Sequence, residues 1–525
     1  MNDKKENGQD ILLLEKGKKG LLRMLFGRTG IIMVLLLVQF LILFSMFQYL
    51  ARFIPYVFGG FVVFTVLMLI NVINKDFEPT VKMTWILLIT LLPAFGSMLY
   101  IFINMDIGHR ALKKRLQEVL KVSAKAMPEQ KELMDGLKKK RRPLYNLAQY
   151  TVSEGDFPIY DHSEITYFPI GEDKFKAMME ELQKAEKYIF LEYFIIDEGY
   201  MWGSILNILA QKAKEGVDVR VMYDGMCEFE LLPHNYPKKL KELGIWCKIF
   251  SPIAPFLSTH YNFRDHRKIL VIDGKVAFTG GVNLADEYIN QKKVFGHWKD
   301  TAVMVKGDAV KSFIRMFLEM WNITDTEVHY EPYLSEVKPV EEAKGYVIPY
   351  GVCPLTGERV GENVYLDIIN RAKKYVHIMT PYLILDGTMT AALQFAARRG
   401  VEVCIILPHI PDKIYAFALA HTHYKELIRA GVKIYEYTPG FVHAKVVDSD
   451  GKRAVVGTIN FDYRSLYHHF ECGLYMEEVP AIVDIEKDMQ DTMDKSQLIT
   501  MEDVKHDKLY LKAMGRMLKF VAPLM

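Results

Sequence analysis

Two stretches of this 525-residue chain carry the same reactive residue types at the same spacing. The first holds His266, Lys268, Asp273, Gly280 and Asn283. The second holds His443, Lys445, Asp450, Gly457 and Asn460. Each reads H-x-K-x4-D-x6-G-x-x-N. One H-x-K-x4-D arises by chance in roughly one chain in twenty or thirty of this size. Two copies, each trailed by the same G-x-x-N, do not. A duplicated His/Lys/Asn set points to one phosphate held between two half-sites.

If the two sets meet, two imidazoles, two ammonium groups and two amides line one pocket. A phosphodiester is singly negative and repels free nucleophiles. Lys268 and Lys445 would neutralise that charge, more so as the transition state spreads it over oxygens. Asn283 and Asn460 would donate to the same oxygens. One neutral histidine attacks phosphorus and forms a phosphohistidine. The other, protonated, gives its proton to the leaving alcohol, then takes one from the incoming nucleophile. The sequence does not choose between His266 and His443 for these roles. Asp273 and Asp450 complete the motifs. They follow strand-like runs and are read as holding turn backbone rather than touching substrate. Asp448 is a rival in the second copy but lacks the spacing. A nucleophilic histidine needs a carboxylate to fix its tautomer. The candidates are Asp300, downstream of His266, and Glu471, downstream of His443, with Glu287 competing with Asp300.

No metal or cofactor is expected. Protonated lysine is a poor ligand, and the motif has no His/carboxylate cluster at metal spacing. The five cysteines form no C-x-x-C pair, which leaves neither a zinc site nor a disulfide framework. The net charge of +2 gives no global signal for a polyanion partner.

Elements that could position these residues alternate from about residue 150 onward. Helical spacing at 175–187, 206–215 and 238–243 alternates with strand-like runs at 188–196, 217–223 and 245–250, before 268–272 and 277–279. The order recurs with strands at 375–380, 401–407 and 432–437 and helices at 391–399 and 424–430. Gly216, Gly244, Gly400 and Gly431 end helices in both copies. This predicts an α/β fold of two pseudo-symmetric α/β/α sandwich halves with mostly parallel sheets, sharing one site across their seam. Residues 509–520 read as an amphipathic helix.

The N-terminal fifth differs. Residues 31–50, 53–73 and 83–105 are free of charged side chains, and each is long enough to span a bilayer core as helix. Lysines and arginines flank both ends of this region, at 16–28 and 110–142. The positive-inside rule wants both flanks in the cytoplasm, which three full spans cannot deliver, so one run is a candidate for a re-entrant or interfacial segment. The organisation read from sequence is a basic segment 1–29, two to three transmembrane helices in 30–106, a basic linker 107–150, a first half 151–330, a connector 331–363 and a second half 364–525.

The paired motifs resemble the phospholipase D superfamily, whose signature is this duplicated HKD pattern, and within it the bacterial cardiolipin synthases. Further residues carry the likeness. They are Thr84-Trp85 leading into Leu92-Pro93-Ala94-Phe95-Gly96, then Trp298-x-Asp300, Thr380-Pro381-Tyr382, Gly457-Thr458-x-Asn460-x-Asp462-x-Arg464-Ser465, and the closing Ala522-Pro523-Leu524-Met525. The resemblance covers nearly everything from about residue 53 on. It implies phosphatidyl transfer between two phosphatidylglycerol molecules, giving cardiolipin and glycerol. The apolar runs argue for a multi-pass membrane enzyme and against a nucleic-acid partner, and the larger basic flank, at 110–142, favours a catalytic part on the cytoplasmic side. The alternatives are a membrane phospholipase D that uses water, or a phosphatidyltransferase that uses another alcohol. The sequence leaves the oligomeric state open.

Overall fold

The computed structural model describes residues 54–104, 107–127, 130–233, 235–251, 263–325 and 329–524. Before them it describes two short strands, Asn2–Glu6 and Gln9–Leu13, paired antiparallel, and three positions between 37 and 41. The apolar run expected at 31–50 therefore lies almost wholly outside the described residues.

The run at 53–73 forms α1, Ile54–Asn74, with side chains described from Gly60 onward, Phe61 apart. The run at 83–105 does not form the single long helix expected of a span. It folds as α2 (Pro79–Leu91) and α3 (Pro93–Asn104). Pro93 lacks an N–H, and its ring collides with the carbonyl four residues earlier, so a straight helix cannot pass through it. The chain doubles back there. The Trp85 and Tyr100 rings meet edge-on at 5.2 Å, whereas a straight helix would hold residues so spaced about 22 Å apart. Gly96 allows the return, because a Cβ there would sit 2.5 Å from the Leu88 carbonyl oxygen. Val72 of α1, Trp85 and Ile89 of α2 and Tyr100 of α3 form a small core of their own. Among the described residues no helix is long and apolar enough to cross a membrane. The basic stretch that follows is three helices, α4 (Ile107–Ala126), α5 (Lys131–Lys140) and α6 (Arg142–Gly155). They bury Leu116, Leu137, Leu144 and Leu147 in the main core, so this stretch is packed against the domain that follows.

The first half is built on a seven-stranded sheet. Its strands are β1 (Ser163–Phe168), β2 (Tyr188–Tyr193), β3 (Asp218–Asp224), β4 (Trp246–Phe250), then, past a two-residue strand β5 (Arg264–Asp265), β6 (Lys268–Ile272), β7 (Val276–Gly280) and, past β8 (His297–Lys299), β9 (Ala302–Gly307). The order is β1-β9-β7-β6-β2-β3-β4. Side chains alternate between faces along each strand. Ile189, Leu191, Val219, Val221, Leu270 and Phe278 therefore pack beneath α7 (Gly171–Gln183) and α8 (Tyr200–Lys214). Phe190, Ile269, Val271, Ala277 and Val303 face the other way, toward α9 (Val310–Trp321) and the second half.

The second half repeats this order. Its strands are β10 (Tyr346–Val352), β11 (Tyr375–Met379), β12 (Glu402–Pro408), β13 (Lys433–Tyr437), β14 (Gly440–Val442), β15 (Val446–Ser449), β16 (Arg453–Gly457), β17 (His469–Glu477) and β18 (Ser496–Ile499). The main path is β10-β17-β16-β15-β11-β12-β13-β18. Its helices are α10 (Val360–Arg371), α11 (Gly387–Arg398), α12 (Ile414–Ala430), α13 (Ile482–Asp494) and α14 (Leu509–Lys519).

Two expectations need correction. The sheets are mixed rather than mostly parallel. Only β2-β3-β4, and β11-β12-β13, run parallel, because β6-β7 and β15-β16 are tight hairpins that reverse the chain. The stretch read as a connector supplies β10, buried along nearly its whole length against β17. Pro349 and Gly351 interrupt the pattern that would have marked it as a strand.

Candidate active site

Lys268 begins β6 and Lys445 immediately precedes β15, and each strand's far end is tied down by the motif aspartate. Asp273 turns left-handed (φ 51°) after β6, and its carboxylate accepts from the Glu186, Lys187 and Tyr188 amides at 2.8 Å each. Asp450 (φ 59°) does the same for the Lys373, Lys374 and Tyr375 amides at 2.8–3.1 Å. A five-residue strand is about 16 Å long, so these carboxylates lie at the far end from the lysines. That placement, with three backbone amides donating to each carboxylate, suits a role in holding backbone. Asp273→Ala is expected to lower stability by about 1–3 kcal/mol through stranded buried amides and to leave the turnover of the folded fraction nearly unchanged. Thermal unfolding in detergent beside kcat checks this, and a loss of kcat with unchanged Tm would refute it.

The motif glycines answer a close approach. A Cβ on Gly280 would sit 2.4 Å from the Thr301 carbonyl oxygen, and one on Gly457 2.5 Å from that of Cys472. Register makes these positions equivalent. Gly280 pairs with Ala302, and Gly457 with Gly473. Two residues back along each partner strand stand Asp300 and Glu471.

These two acids are the carboxylates that orient the histidines, and they do so crosswise. His443 Nδ1 lies 2.6 Å from Asp300 Oδ2, and His266 Nδ1 lies 2.9 Å from Glu471 Oε2. Counting along the sequence placed each acid beside the histidine of its own copy. The structure pairs each with the histidine of the other half. Two short parallel pairings across the seam bring this about. β5 lies beside His469–Phe470, where the His266 amide donates to the Phe470 carbonyl at 2.9 Å. β8 lies beside β14, where the His443 amide donates to the Lys299 carbonyl at 2.7 Å. Glu287, the sequence rival of Asp300, sits in the turn Asp286–Ile289, and it is Tyr288 of that turn whose ring meets His443, at 5.4 Å.

Both lysines fold back onto their own motif, Lys268 Nζ to the His266 carbonyl at 2.6 Å and Lys445 Nζ to that of His443. The four groups feel one another. Burial, then Lys268, His469, Lys445 and His443, push the His266 imidazole well below its usual pKa. Burial and Lys445 take His443 down to about 4, with Asp300 opposing. Burial lowers Lys268 to about 8 and Lys445 to about 7. The two acids diverge. Burial alone would raise Asp300, but His443, Lys445 and the Thr301 amide hold it below its usual range. Burial carries Glu471 well above its usual range despite Lys268, Thr458 and Ser465. An ionised Asp300 can only accept, so His443 Nδ1 carries the proton and Nε2 is its free lone pair.

The asparagines are less alike than the motif suggests. Asn283 Oδ1 accepts from the Ile195 amide, and its Nδ2 donates to Tyr288 Oη at 2.9 Å. That commits its amide to seating Tyr288 under His443. Asn460 keeps a buried Oδ1 without a hydrogen-bond partner. Several wall residues lie outside the repeated H-x-K pattern. Lys174 is buried, 3.2 Å from both Tyr193 Oη and the Val282 carbonyl, and burial takes it to about 7. Trp298 packs at 5.4 Å from His443, and at the equivalent position His469 packs at 5.6 Å from His266. The second motif also touches the N-terminal hairpin, through Thr80 Oγ1 and Tyr463 Oη at 2.9 Å.

A family model described as "Cardiolipin synthase, PLD-like domain" matches residues 178–321 and 365–493, the two halves that carry these histidines. A second, "Phospholipase_D-nuclease N-terminal", matches residues 63–103. A cardiolipin synthase of Alkalihalophilus pseudofirmus is 32% identical over 475 residues, 88% of this chain and 93% of that one. One from Geobacillus kaustophilus is 32% identical over 85% and 89%. An uncharacterised Streptococcus mutans protein is 53% identical over 86% and 98%. Among solved structures, a phosphatidylserine synthase of Haemophilus influenzae superposes with a TM-score of 0.55 at 16% identity, covering 74% of this chain and 98% of that one, a likeness of fold. The duplicated motif, the matched halves and the near full-length relatives agree, and the chain belongs to the cardiolipin synthase family of phospholipase D-like proteins.

Proposed function

We propose that the chain transfers a phosphatidyl group from one phosphatidylglycerol to another, giving cardiolipin and glycerol. The observation that carries this reading is the crosswise pairing of two histidines with two carboxylates around a single lysine-lined pocket. Nε2 of one ring attacks phosphorus and breaks the bond to the glycerol oxygen, and the other ring protonates that oxygen. The phosphodiester anion favours an imidazolium beside it, so the acid ring takes up its proton as substrate binds. Glycerol leaves. The second lipid's headgroup hydroxyl gives its proton to that same ring and attacks the phosphohistidine, which frees the nucleophilic imidazole and leaves the other ring as an imidazolium that sheds its proton to solvent as cardiolipin departs. Lys268 and Lys445 stabilise the spreading negative charge. Asp300 and Glu471 orient the rings, Asn283 acts through Tyr288, and Asp273 and Asp450 hold the strands. No cofactor enters these steps.

The enzyme works in the cell membrane. Val62, Val63, Val66, Leu67, Ile70 and Ile73 of α1, with Met83, Leu87 and Leu91 of α2, are exposed apolar side chains on one small helical unit, which suits lipid contact. We read this helical unit as dipping into the bilayer, with α2–α3 as a hairpin that enters and returns on the same side. This keeps Lys75 and the basic helices α4–α6 on one face, the cytoplasmic one by the positive-inside rule, and the catalytic halves with them. Single cysteines replacing Lys75 and Lys121, in a background without the native five, are expected to label from the same face. Labelling from opposite faces would restore a third span and overturn this topology.

The activity test feeds labelled phosphatidylglycerol to membranes carrying the intact chain. Labelled cardiolipin with free glycerol in equal amounts is the expected result. Phosphatidic acid as the main product would instead favour the water-using phospholipase.

A further inference from the structure

A second cluster of ligating side chains lies in the second half, apart from the phosphate pocket. His377 on β11, Asp448 on β15 and Glu486 on α13 bring a ring nitrogen and two carboxylate oxygens within 4.8 Å of one another. His377 Nδ1 is 3.0 Å from Glu486 Oε2. Asp448 is fully buried, and neither of its oxygens has a hydrogen-bond partner of ordinary geometry, although the Glu486 and Tyr375 side chains lie close beside it. A buried carboxylate facing a second carboxylate is costly unless a proton or a cation lies between them.

The first half shows that the fold does not require these residues. Tyr188 pairs with Asp218 on β2–β3 as Tyr375 pairs with Glu402 on β11–β12, so His377 corresponds to Phe190. Counting from the motif histidines, Asp448 corresponds to Val271. Phe190 and Val271 are plain core, with Phe190 stacked on Phe317 at 4.6 Å. One copy of the repeat fills this space with hydrocarbon, and the other fills it with an imidazole and a carboxylate.

We propose that His377, Asp448 and Glu486 form a binding site for a divalent transition-metal ion, with zinc the best match to one imidazole and two carboxylates. Such an ion binds nitrogen and oxygen at about 2.0–2.2 Å, which the three side chains reach with shifts of under about an ångström. The surroundings fit a ligand shell. His377 Nε2 makes no hydrogen bond but lies 3.6 Å from Glu402 Oε1, a small shift from the carboxylate–histidine arrangement that orients a ligating imidazole. Gln490 Nε2 donates to Glu486 Oε1 at 2.8 Å. Glu486 is partly exposed and provides an entry path. The expectation of no metal came from spacing along the chain, and spacing does not register ligands drawn from three separate elements. The ion would clamp α13 to the sheet. Asp488 of α13 accepts from Lys299 Nζ at 2.7 Å and from Tyr167 Oη at 2.6 Å in the first half. The clamp therefore reaches the backbone that seats His443.

The test uses the full chain in detergent carrying His266→Ala, so that the phosphate pocket offers one ligand fewer. The chain is stripped with chelator and titrated with zinc chloride alone by calorimetry, with Tm followed in parallel. About one zinc per chain and a raised Tm are expected. Adding His377→Phe with Asp448→Val copies the first half's own residues and should preserve the circular dichroism signal while removing that zinc and the Tm rise. A second variant, Asp448→Asn, keeps the shape and should weaken zinc binding at least tenfold. No zinc in the His266→Ala chain, or equal zinc with and without the double substitution, overturns the proposal.

Discussion

His266→Ala and His443→Ala each lower cardiolipin formation by at least ~10³-fold, because each removes a group that forms a bond to phosphorus or moves a proton, and such groups supply ~10²–10⁴ or more. Loss in both, with folding intact by circular dichroism, is what a single shared pocket requires. Two independent half-sites would instead leave about half the activity in each variant. A substrate with an activated leaving group, phosphatidyl-p-nitrophenol, separates the roles. Nitrophenolate needs no proton to depart, so the variant that keeps the nucleophile still releases one equivalent. It then stalls as labelled protein, because no base remains to activate the acceptor. The variant without the nucleophile gives neither burst nor label. A burst in both variants, or in neither, would refute a division of labour between the two rings.

How far the sequence discloses this site follows from the range of the forces involved. The H-x-K strands were legible because Ile269–Ile272 and Val446–Val447 are β-branched or apolar runs ended by a turn at Asp273-Gly274 or Asp450-Gly451. Local pattern alone fixes such elements. The repeat was legible because the glycines that stop its helices recur at matching places. The pairing of Asp300 with His443 was not legible. It depends on the register of β8 against β14, a contact between halves that leaves no trace in spacing. Lys174, Tyr288 and His469 escaped for the same reason. α12 begins at Ile414, ten residues before the expected start at 424, because its first turns carry Ala416, Ala418 and Ala420, too small to mark an apolar stripe. The fold-back within 83–105 was not legible from hydropathy, which records composition, whereas Pro93 and Gly96 record the turn.

The largest difference expected between the halves lies in their two acids. Asp300→Asn is expected to lower kcat/KM by about 10³-fold, within the usual range for a group that secures the tautomer of a catalytic histidine. Glu471→Gln is expected to cost only about tenfold. The reason is their state at neutral pH. His443 and Lys445 hold Asp300 ionised, so an amide there removes a negative charge and can offer its own N–H to His443 Nδ1, which turns the ring's lone pair away from phosphorus. Burial holds the Glu471 carboxyl well above its usual range, so an amide of the same shape replaces a group whose charge burial already disfavours. Equal losses in the two variants would refute this asymmetry. The lysines set the pH window in which the comparison is made. Both must be cationic to stabilise the transferring phosphoryl group, and a lowered pKa means that charge is present at low pH and lost as pH rises. With Lys445 at about 7 and Lys268 at about 8, kcat/KM, which reports the free enzyme, is expected to fall as pH rises through 7 to 8, far below the range where an ordinary lysine titrates. The ring proton needed for acid catalysis can only steepen that fall. A profile flat to pH 9 would show both lysines cationic throughout and would refute the burial argument, and the two amide variants should therefore be compared near pH 6.5, where both ammonium groups remain charged.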